Sequence, residues 1–193
     1  MGDEEEFIMA TVATKPLTAE EFYALPEPTD GTKLELVKGE IVAMPGPGLE
    51  HGEIQLSLGA LIKNFLRLHK LGRVVTESGI ITERDEDTTR GPDISYYSKE
   101  RLPLEKRVVK YHDLPPDLCV EIISPSNAKK DLRDKIQEYF AVGVRMVWLV
   151  DPEGRSVTVL TSPKKGSTLY DDSELDGDDV LPGFTCKVSE IFE

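Results

Sequence analysis

The sequence predicts an α/β protein in which one mixed β-sheet is flanked by two long helices. Three observations support this fold class. A strand, a helix and a strand follow one another over residues 117–150, and that order requires a right-handed crossover and a parallel strand pair. A long helical pattern precedes this unit, and a hairpin near the N-terminus adds antiparallel pairing. With 193 residues, 39% of them hydrophobic, the chain can form one domain with a proper core.

The N-terminal part is predicted to contain a tail, a short helix and the hairpin. Residues 1–16 open on an acidic run, and we expect a flexible tail there and a single domain over 17–193. Thr18 stands three residues before Glu21, which is the spacing of a capping box, so a short helix begins at this point. The hairpin strands are 33–37 and 40–44, with a turn at 38–39.

The first long helix is predicted from about His51 to Lys70. Apolar residues recur at three- and four-residue spacing from Ile54 to Leu68, so one stripe of the helix faces the core. Gly72 follows and is expected to end the helix.

The middle of the chain reads as strands and loops. Segments 73–78 and 79–83 are predicted as two β segments, or as one strand bent at Gly79. Residues 85–91 form a charged loop that leads into the next strand. A longer loop with one helical turn near Arg101 is expected over 99–116.

The C-terminal half carries the strand–helix–strand unit. The predicted central strand covers residues 117–123. The next four residues, 124–127, break this strand and cap a helix over 128–142, which Gly143 ends. Strands at 146–150 and 156–160 follow around a turn at 151–154. The remaining short candidates are strands at 169–170, 180–181 and 184–187 and a helical turn at 188–192.

The charge of the chain restricts its partners. The net charge is −13 at pH 7, which argues against an obvious nucleic-acid binder, because phosphate contacts need Lys and Arg. Much of the negative charge lies in segments that look peripheral (3–6, 83–87 and 171–179). The protein could therefore still have a local basic patch despite its negative net charge. Apolar runs are too short for a membrane span, and the N-terminus is acidic where a secretory signal is basic, so we predict a cytoplasmic protein.

Two carboxylates on two apolar strands, Asp93 and Glu121, are the main candidates for a metal site. Glu121 lies within the apolar run 118–123, and an ionised Glu there is costly unless a positive group pairs with it. A divalent metal shared with Asp93 would supply that charge, and the backbone carbonyl of Ile122 could complete the ligands. The alternative interpretation is that Asp93 begins a turn and Glu121 forms an internal salt bridge.

Several blocks of sequence resemble one known family. They are, in order, Glu35 before Gly39-Glu40, Glu50-His51-Gly52, Gly91-Pro92-Asp93, 120–126 (Val-Glu-Ile-Ile-Ser-Pro-Ser), Lys135 with Glu138-Tyr139, and 143–152. Together they resemble the Uma-two family, a branch of the PD-(D/E)XK nuclease superfamily, over about residues 17 to 193. The resemblance implies a restriction-endonuclease-like core and a Mg²⁺-dependent nuclease site, with Mn²⁺ as a substitute ion, in which Asp93 and Glu121 hold the metal.

The chain departs from the superfamily pattern at its lysine. That lysine stands two residues after the glutamate, a position that Ile123 occupies here. We take Lys135 on the following helix as a relocated lysine that orients or deprotonates the attacking water, although a snorkelling surface lysine is an equal alternative. Tyr139, one turn later, could hold Lys135 or a ligand carboxylate.

Two further residues are candidates by the same resemblance. Glu35 matches an early acidic residue of the family and could bind a second or shared metal. His51 stands at a helix start, where it could cap the helix, hydrogen-bond the carboxylates or ligate the metal.

Three functional hypotheses follow. The first is a metal-dependent endonuclease acting on DNA. The second is a catalytically inactive binding or assembly module with the same fold, which the negative charge and Ile123 favour. The third is a metal hydrolase for smaller phosphoesters. Family analogy also implies a homodimer, because cutting both strands of a duplex usually takes two copies of a small core.

Overall fold

A computed structural model describes residues 15–26, 28–29, 31–124 and 129–193, with the side chain of Lys129 excepted. Most of the predicted tail (1–16) and most of the predicted cap before the second long helix (125–127) lie outside these residues.

Three helices, twelve strands and one 3₁₀ turn make up the described part of the chain. In chain order they are α1 (Ala19–Tyr23), β1 (Lys33–Val37), β2 (Glu40–Met44), α2 (Leu49–His69), β3 (Gly72–Thr76), β4 (Ile80–Glu83), β5 (Thr88–Arg90), β6 (Ile94–Ser98), β7 (Leu118–Ile122), α3 (Lys129–Ala141), β8 (Met146–Asp151), β9 (Ser156–Ser162), β10 (Lys165–Tyr170), β11 (Glu174–Asp176), β12 (Thr185–Lys187) and the 3₁₀ turn Val188–Ile191.

The main sheet has six strands in the order β10-β9-β8-β7-β6-β3. The pair β7–β8 is parallel, as the crossover through α3 requires, and the other pairs are antiparallel. The predicted mixed sheet is therefore confirmed.

The two long helices cover opposite faces of this sheet. Val120 on β7 packs in one core cluster with α2, and its neighbour Cys119 packs in another cluster with α3. Successive residues of a strand point to opposite faces, so α2 and α3 lie on different sides of β7. The predicted flanking helices are confirmed.

A second sheet lies beside the first, with four strands in the order β2-β1-β5-β4. It contains the predicted hairpin, and the short helix α1 next to it carries the predicted Thr18–Glu21 capping box. The strands β11 and β12 form a separate two-stranded sheet. The division into three sheets was not predicted.

Several sequence predictions were wrong in detail. Helix α2 ends at His69, because Lys70 adopts a left-handed conformation with φ 51°. Gly72 instead opens β3, where a Cβ atom would run into the Tyr97 carbonyl of the paired strand β6. Segments 73–78 and 79–83 form two strands, β3 and β4, as predicted first; only the alternative of one bent strand was wrong, because β3 and β4 belong to different sheets.

Two more predictions also need correction. The charged loop 85–91 contains the strand β5, which pairs with β1 and β4 and so could not be read from local polarity. Residues 180–181 are buried in a turn and form no strand; Val180 and Leu181 fill the core through turn geometry. Among the described residues, no helix has the length and apolar character needed to cross a bilayer.

Candidate active site

Three acidic residues stand in a row across three neighbouring strands. The β6–β7 register, extended by one residue, sets Asp93 opposite Glu121. The β3–β6 register, extended in the same way, sets Glu77 opposite Asp93, and the Glu77 amide lies 3.4 Å from the Asp93 carbonyl oxygen. Opposed residues of an antiparallel pair present their side chains to the same face, so this row brings carboxylates together at the end of the strands.

Asp93 is held from both sides. Its Oδ2 atom accepts a 2.7 Å hydrogen bond from the amide of Ile122, while Oδ1 lies 3.3 Å from His51 Nε2 and 3.6 Å from Lys33 Nζ. Burial favours the protonated acid, but the His51 hydrogen bond and the Lys33 charge outweigh it and keep the pKa of Asp93 below its ordinary value. The same contact raises the pKa of His51. Asp93 is therefore an anion near neutral pH.

Glu121 has the opposite electrostatic character. It is buried on β7, and its Oε1 atom accepts a 2.6 Å hydrogen bond from the hydroxyl of Tyr139 on α3. Burial, together with repulsion from Asp93, raises the pKa of Glu121 to about 7, although Lys135 and Tyr139 act against this. A cation in contact with Glu121 would therefore have to displace a proton at slightly acidic pH.

Lys135 points inward from α3. Its Nζ atom lies 2.9 Å from Glu35 Oε1, and the lysine is only 5% exposed. Burial alone would lower the pKa of Lys135, but the charges of Glu121 and Glu35 outweigh it, so the pKa is raised and the ammonium is retained. The alternative of a snorkelling surface lysine does not describe this side chain.

Glu35 belongs to a buried ion network. Its Oε2 atom accepts a 2.8 Å hydrogen bond from Arg90, and Arg90 also makes two 2.7 Å hydrogen bonds to Glu138. Burial favours protonation of Glu35, but Lys135 and Arg90 outweigh it and lower its pKa. Both carboxylate oxygens of Glu35 thus face cations of the chain itself, so the geometry favours holding Lys135 over binding a metal.

A cavity of about 360 Å³ collects these groups. Its lining includes Asp93, Glu121, Ile122, His51 and Lys135, and the loop 45–48 closes one side. Four of the five predicted side chains therefore open onto one space. Glu35 is not among the described residues that line this cavity; it contacts the ammonium of Lys135, which does line it.

Comparison with known proteins gives the family. A family model described as "Uma2: Putative restriction endonuclease" matches residues 19–189. The chain belongs to this family. Among solved structures, a protein described as "a putative nuclease belonging to DUF820" from Anabaena variabilis superposes with a TM-score of 0.78 at 24% identity, covering 92% of this chain and 98% of that one. That likeness shows the shared fold. No curated protein matches the chain.

The geometry of this Uma2 protein fits a hard divalent cation. Carboxylate and carbonyl oxygens are the donors that Mg²⁺ and Mn²⁺ prefer. Asp93 and Glu121 offer such oxygens in one cavity. The amide of Ile122 faces Asp93, and since N–H and C=O of a residue in an antiparallel ladder point to the same neighbour, its carbonyl is directed the same way.

Two residues of this Uma2 site, Glu77 and Lys33, were not predicted from the sequence. Glu77 offers a carboxylate oxygen that lies with His51 and Asp93 donor atoms within 4.8 Å of one another. Lys33 on β1 forms a 2.7 Å ion pair with Glu77 and donates a 2.8 Å hydrogen bond to the carbonyl of Gly91. Neither belongs to a motif; only the pairing of β3 with β6 and the position of the hairpin bring them to the site.

Proposed function

We propose that this protein is a metal-dependent endonuclease that hydrolyses phosphodiester bonds of DNA. The observation that carries the proposal is the juxtaposition of Asp93 and Glu121 at opposed positions of β6 and β7, in one cavity with the buried ammonium of Lys135. Family membership and the likeness in fold support a nuclease.

Each residue has a distinct role in this proposal. Asp93, Glu121 and the carbonyl of Ile122 hold Mg²⁺, with Mn²⁺ as a substitute. When bound, the ion supplies charge neutralisation at the phosphoryl oxygens and favours ionisation of water. Lys135 keeps its ammonium, so it orients the attacking water as a hydrogen-bond donor and offsets phosphate charge.

The remaining candidates position these groups. Glu35 is bound by Lys135 and Arg90, and it fixes the lysine ammonium within reach of Glu121. His51 hydrogen-bonds Asp93 and orients its carboxylate. We assign both residues to positioning rather than to metal ligation.

A cleavage assay tests the proposal. Supercoiled plasmid and single-stranded circular DNA are incubated with the protein and Mg²⁺ or Mn²⁺, beside an EDTA control and the matched variant Glu121→Gln. We expect cation-dependent cutting that the variant loses by at least about a hundredfold. Indistinguishable cutting by both proteins would overturn the proposal.

An inactive binding module is the second candidate. Ile123 at the superfamily lysine position and the net charge of −13 favour it. Calorimetric titration separates the two: absence of Mg²⁺ and Mn²⁺ binding at millimolar concentration, together with absence of cutting, would establish the module. The homodimer and the cytoplasmic location stay predictions, and sedimentation velocity checks the first.

A further inference from the structure

A second cavity, of about 510 Å³, adjoins the candidate active site and has an aromatic wall. Phe22, Tyr23 and Tyr111 line it. The rings of Tyr23 and Tyr111 meet edge to face with centroids 5.1 Å apart, and those of Phe22 and Tyr111 lie 5.9 Å apart. A rigid aromatic surface of this kind is what a flat ring stacks on.

The aromatic wall keeps apolar surface in contact with solvent. Phe22 is 6% exposed and belongs to the interior, but Tyr23 and Leu25 are 40% and 39% exposed. The hydroxyl of Tyr23 donates a 3.0 Å hydrogen bond to the carbonyl of Val109, which holds the ring in place. Gly79 lies under the Tyr111 ring, where a Cβ atom would collide with it. The wall is thus ordered but only partly covered.

The two cavities adjoin each other, since Lys33 and Glu77 line both of them. The Nζ atom of Lys33 lies 2.7 Å from Glu77 and 3.6 Å from Asp93, so a lysine that lines the aromatic cavity also contacts the carboxylates of the candidate active site. A nucleotide carries a phosphate and a flat base on the same sugar, which matches a proposed cation site that adjoins an aromatic wall.

The negative net charge of the protein favours unpaired nucleic acid over a duplex as the substrate. Binding along a duplex relies on neutralising many phosphates with Lys and Arg. A chain of net charge −13 is poorly suited to that. Stacking of a base on an aromatic ring needs no net charge, but the base must be free of its partner strand.

We propose that the aromatic cavity binds an unpaired nucleobase of the strand whose phosphodiester lies at Asp93 and Glu121. The protein then acts on single-stranded or locally unpaired nucleic acid in preference to intact duplex. This inference rests on the proposed function for the position of the phosphate, while base binding itself is measurable without cutting.

Fluorescence anisotropy with full-length protein tests the stacking. The probes are a labelled single-stranded DNA oligonucleotide, its fully paired duplex, and an abasic strand of equal length, which keeps the phosphates and lacks the bases. We expect the single strand to bind about tenfold more tightly than the other two, and Tyr23→Ala to lose that advantage. Tyr23→Phe, which keeps the ring, retains it, and Tyr170→Ala, an exposed tyrosine on β10, serves as the matched control.

Different results overturn the two proposals. Equal binding of the normal and abasic strands, or of wild type and Tyr23→Ala, overturns the base site even where cutting depends on Glu121. Conversely, a Tyr23-dependent preference for the single strand, combined with cutting that Glu121→Gln leaves unchanged, upholds base binding and overturns the proposed catalytic site. Tighter binding of the duplex than of the single strand also overturns the inference.

Discussion

The hydroxyl of Tyr139 on α3 donates a 2.6 Å hydrogen bond to the buried carboxylate of Glu121 on β7. A hydrogen bond to the ionised form of an acid stabilises that form, so Tyr139 holds the pKa of Glu121 below the value that burial alone would produce. The helix therefore lowers the pH at which the carboxylate of Glu121 becomes available to a cation.

Tyr139→Phe should move the acid limb of activity to higher pH. Loss of a hydrogen bond to a charged group is worth about 1.5 to 3 kcal/mol, so the limb should move by about one to two pH units. The measurement is the rate of DNA cutting at subsaturating Mg²⁺ from pH 6 to 9. The variant should recover at the alkaline end, and superimposable profiles would contradict the assignment.

The free energy of unfolding without metal should fall as the pH rises from 5 to 8. The pKa of Glu121 is about 7 in the folded protein and near 4.5 when unfolded, so in this range the folded state binds the extra proton. His51, whose pKa is also raised, contributes with the same sign. Urea unfolding in EDTA at several pH values measures the slope.

The matched variant for that experiment is Glu121→Gln. Its amide does not titrate, so the part of the slope due to Glu121 should disappear, and the difference between wild type and variant should change most between pH 5 and 8. A slope that the substitution leaves intact would show that Glu121 is ionised in the metal-free protein.

Lys135→Met should destabilise the fold by about 1.5 to 3 kcal/mol, because it removes a charge-assisted hydrogen bond from the buried Glu35, which keeps Arg90 as a partner. The double variant Lys135→Met, Glu35→Gln should lose less stability than the sum of the two single variants, since either single substitution already removes the contact between the two charges. Denaturant unfolding of all four proteins measures the coupling. Strict additivity would mean that the 2.9 Å contact carries no interaction energy.

Lys33→Met should increase the affinity for Mn²⁺ by roughly three- to tenfold, because it removes a positive charge 3.6 Å from Asp93. Lys63→Met, on the exposed side of α2, is the control and should leave the affinity unchanged. Isothermal titration calorimetry gives both values. An affinity that Lys33→Met leaves unchanged would place the cation away from Asp93.

Much of the architecture followed from local pattern. The hairpin, the capping box of α1, the two long helices and the parallel pair β7–β8 depend on apolar periodicity, turn residues and crossover geometry, all of which are visible in sequence. Strand β5 was missed because its burial comes from pairing with β1 and β4, which no local signal records.

Some residues of the candidate site could be predicted from the sequence, and others could not. Glu121 could be predicted because a carboxylate in an apolar strand is conspicuous, and Asp93 because of its family motif. Glu77 follows a strand in an ordinary polar context, and Lys33 starts a hairpin. Their approach to Asp93 depends on strand register and on the docking of the second sheet, which are long-range properties of the fold.

The ammonium of Lys135 comes from a helix, whereas Asp93 and Glu121 belong to paired strands. Hydrogen-bonded strands hold their spacing rigidly, but a helix packed by side chains can slide or tilt by fractions of an ångström. Substitutions on the buried face of α3, such as at Ile136, could therefore shift the position of this ammonium without disturbing the strand pairing that spaces the carboxylate oxygens.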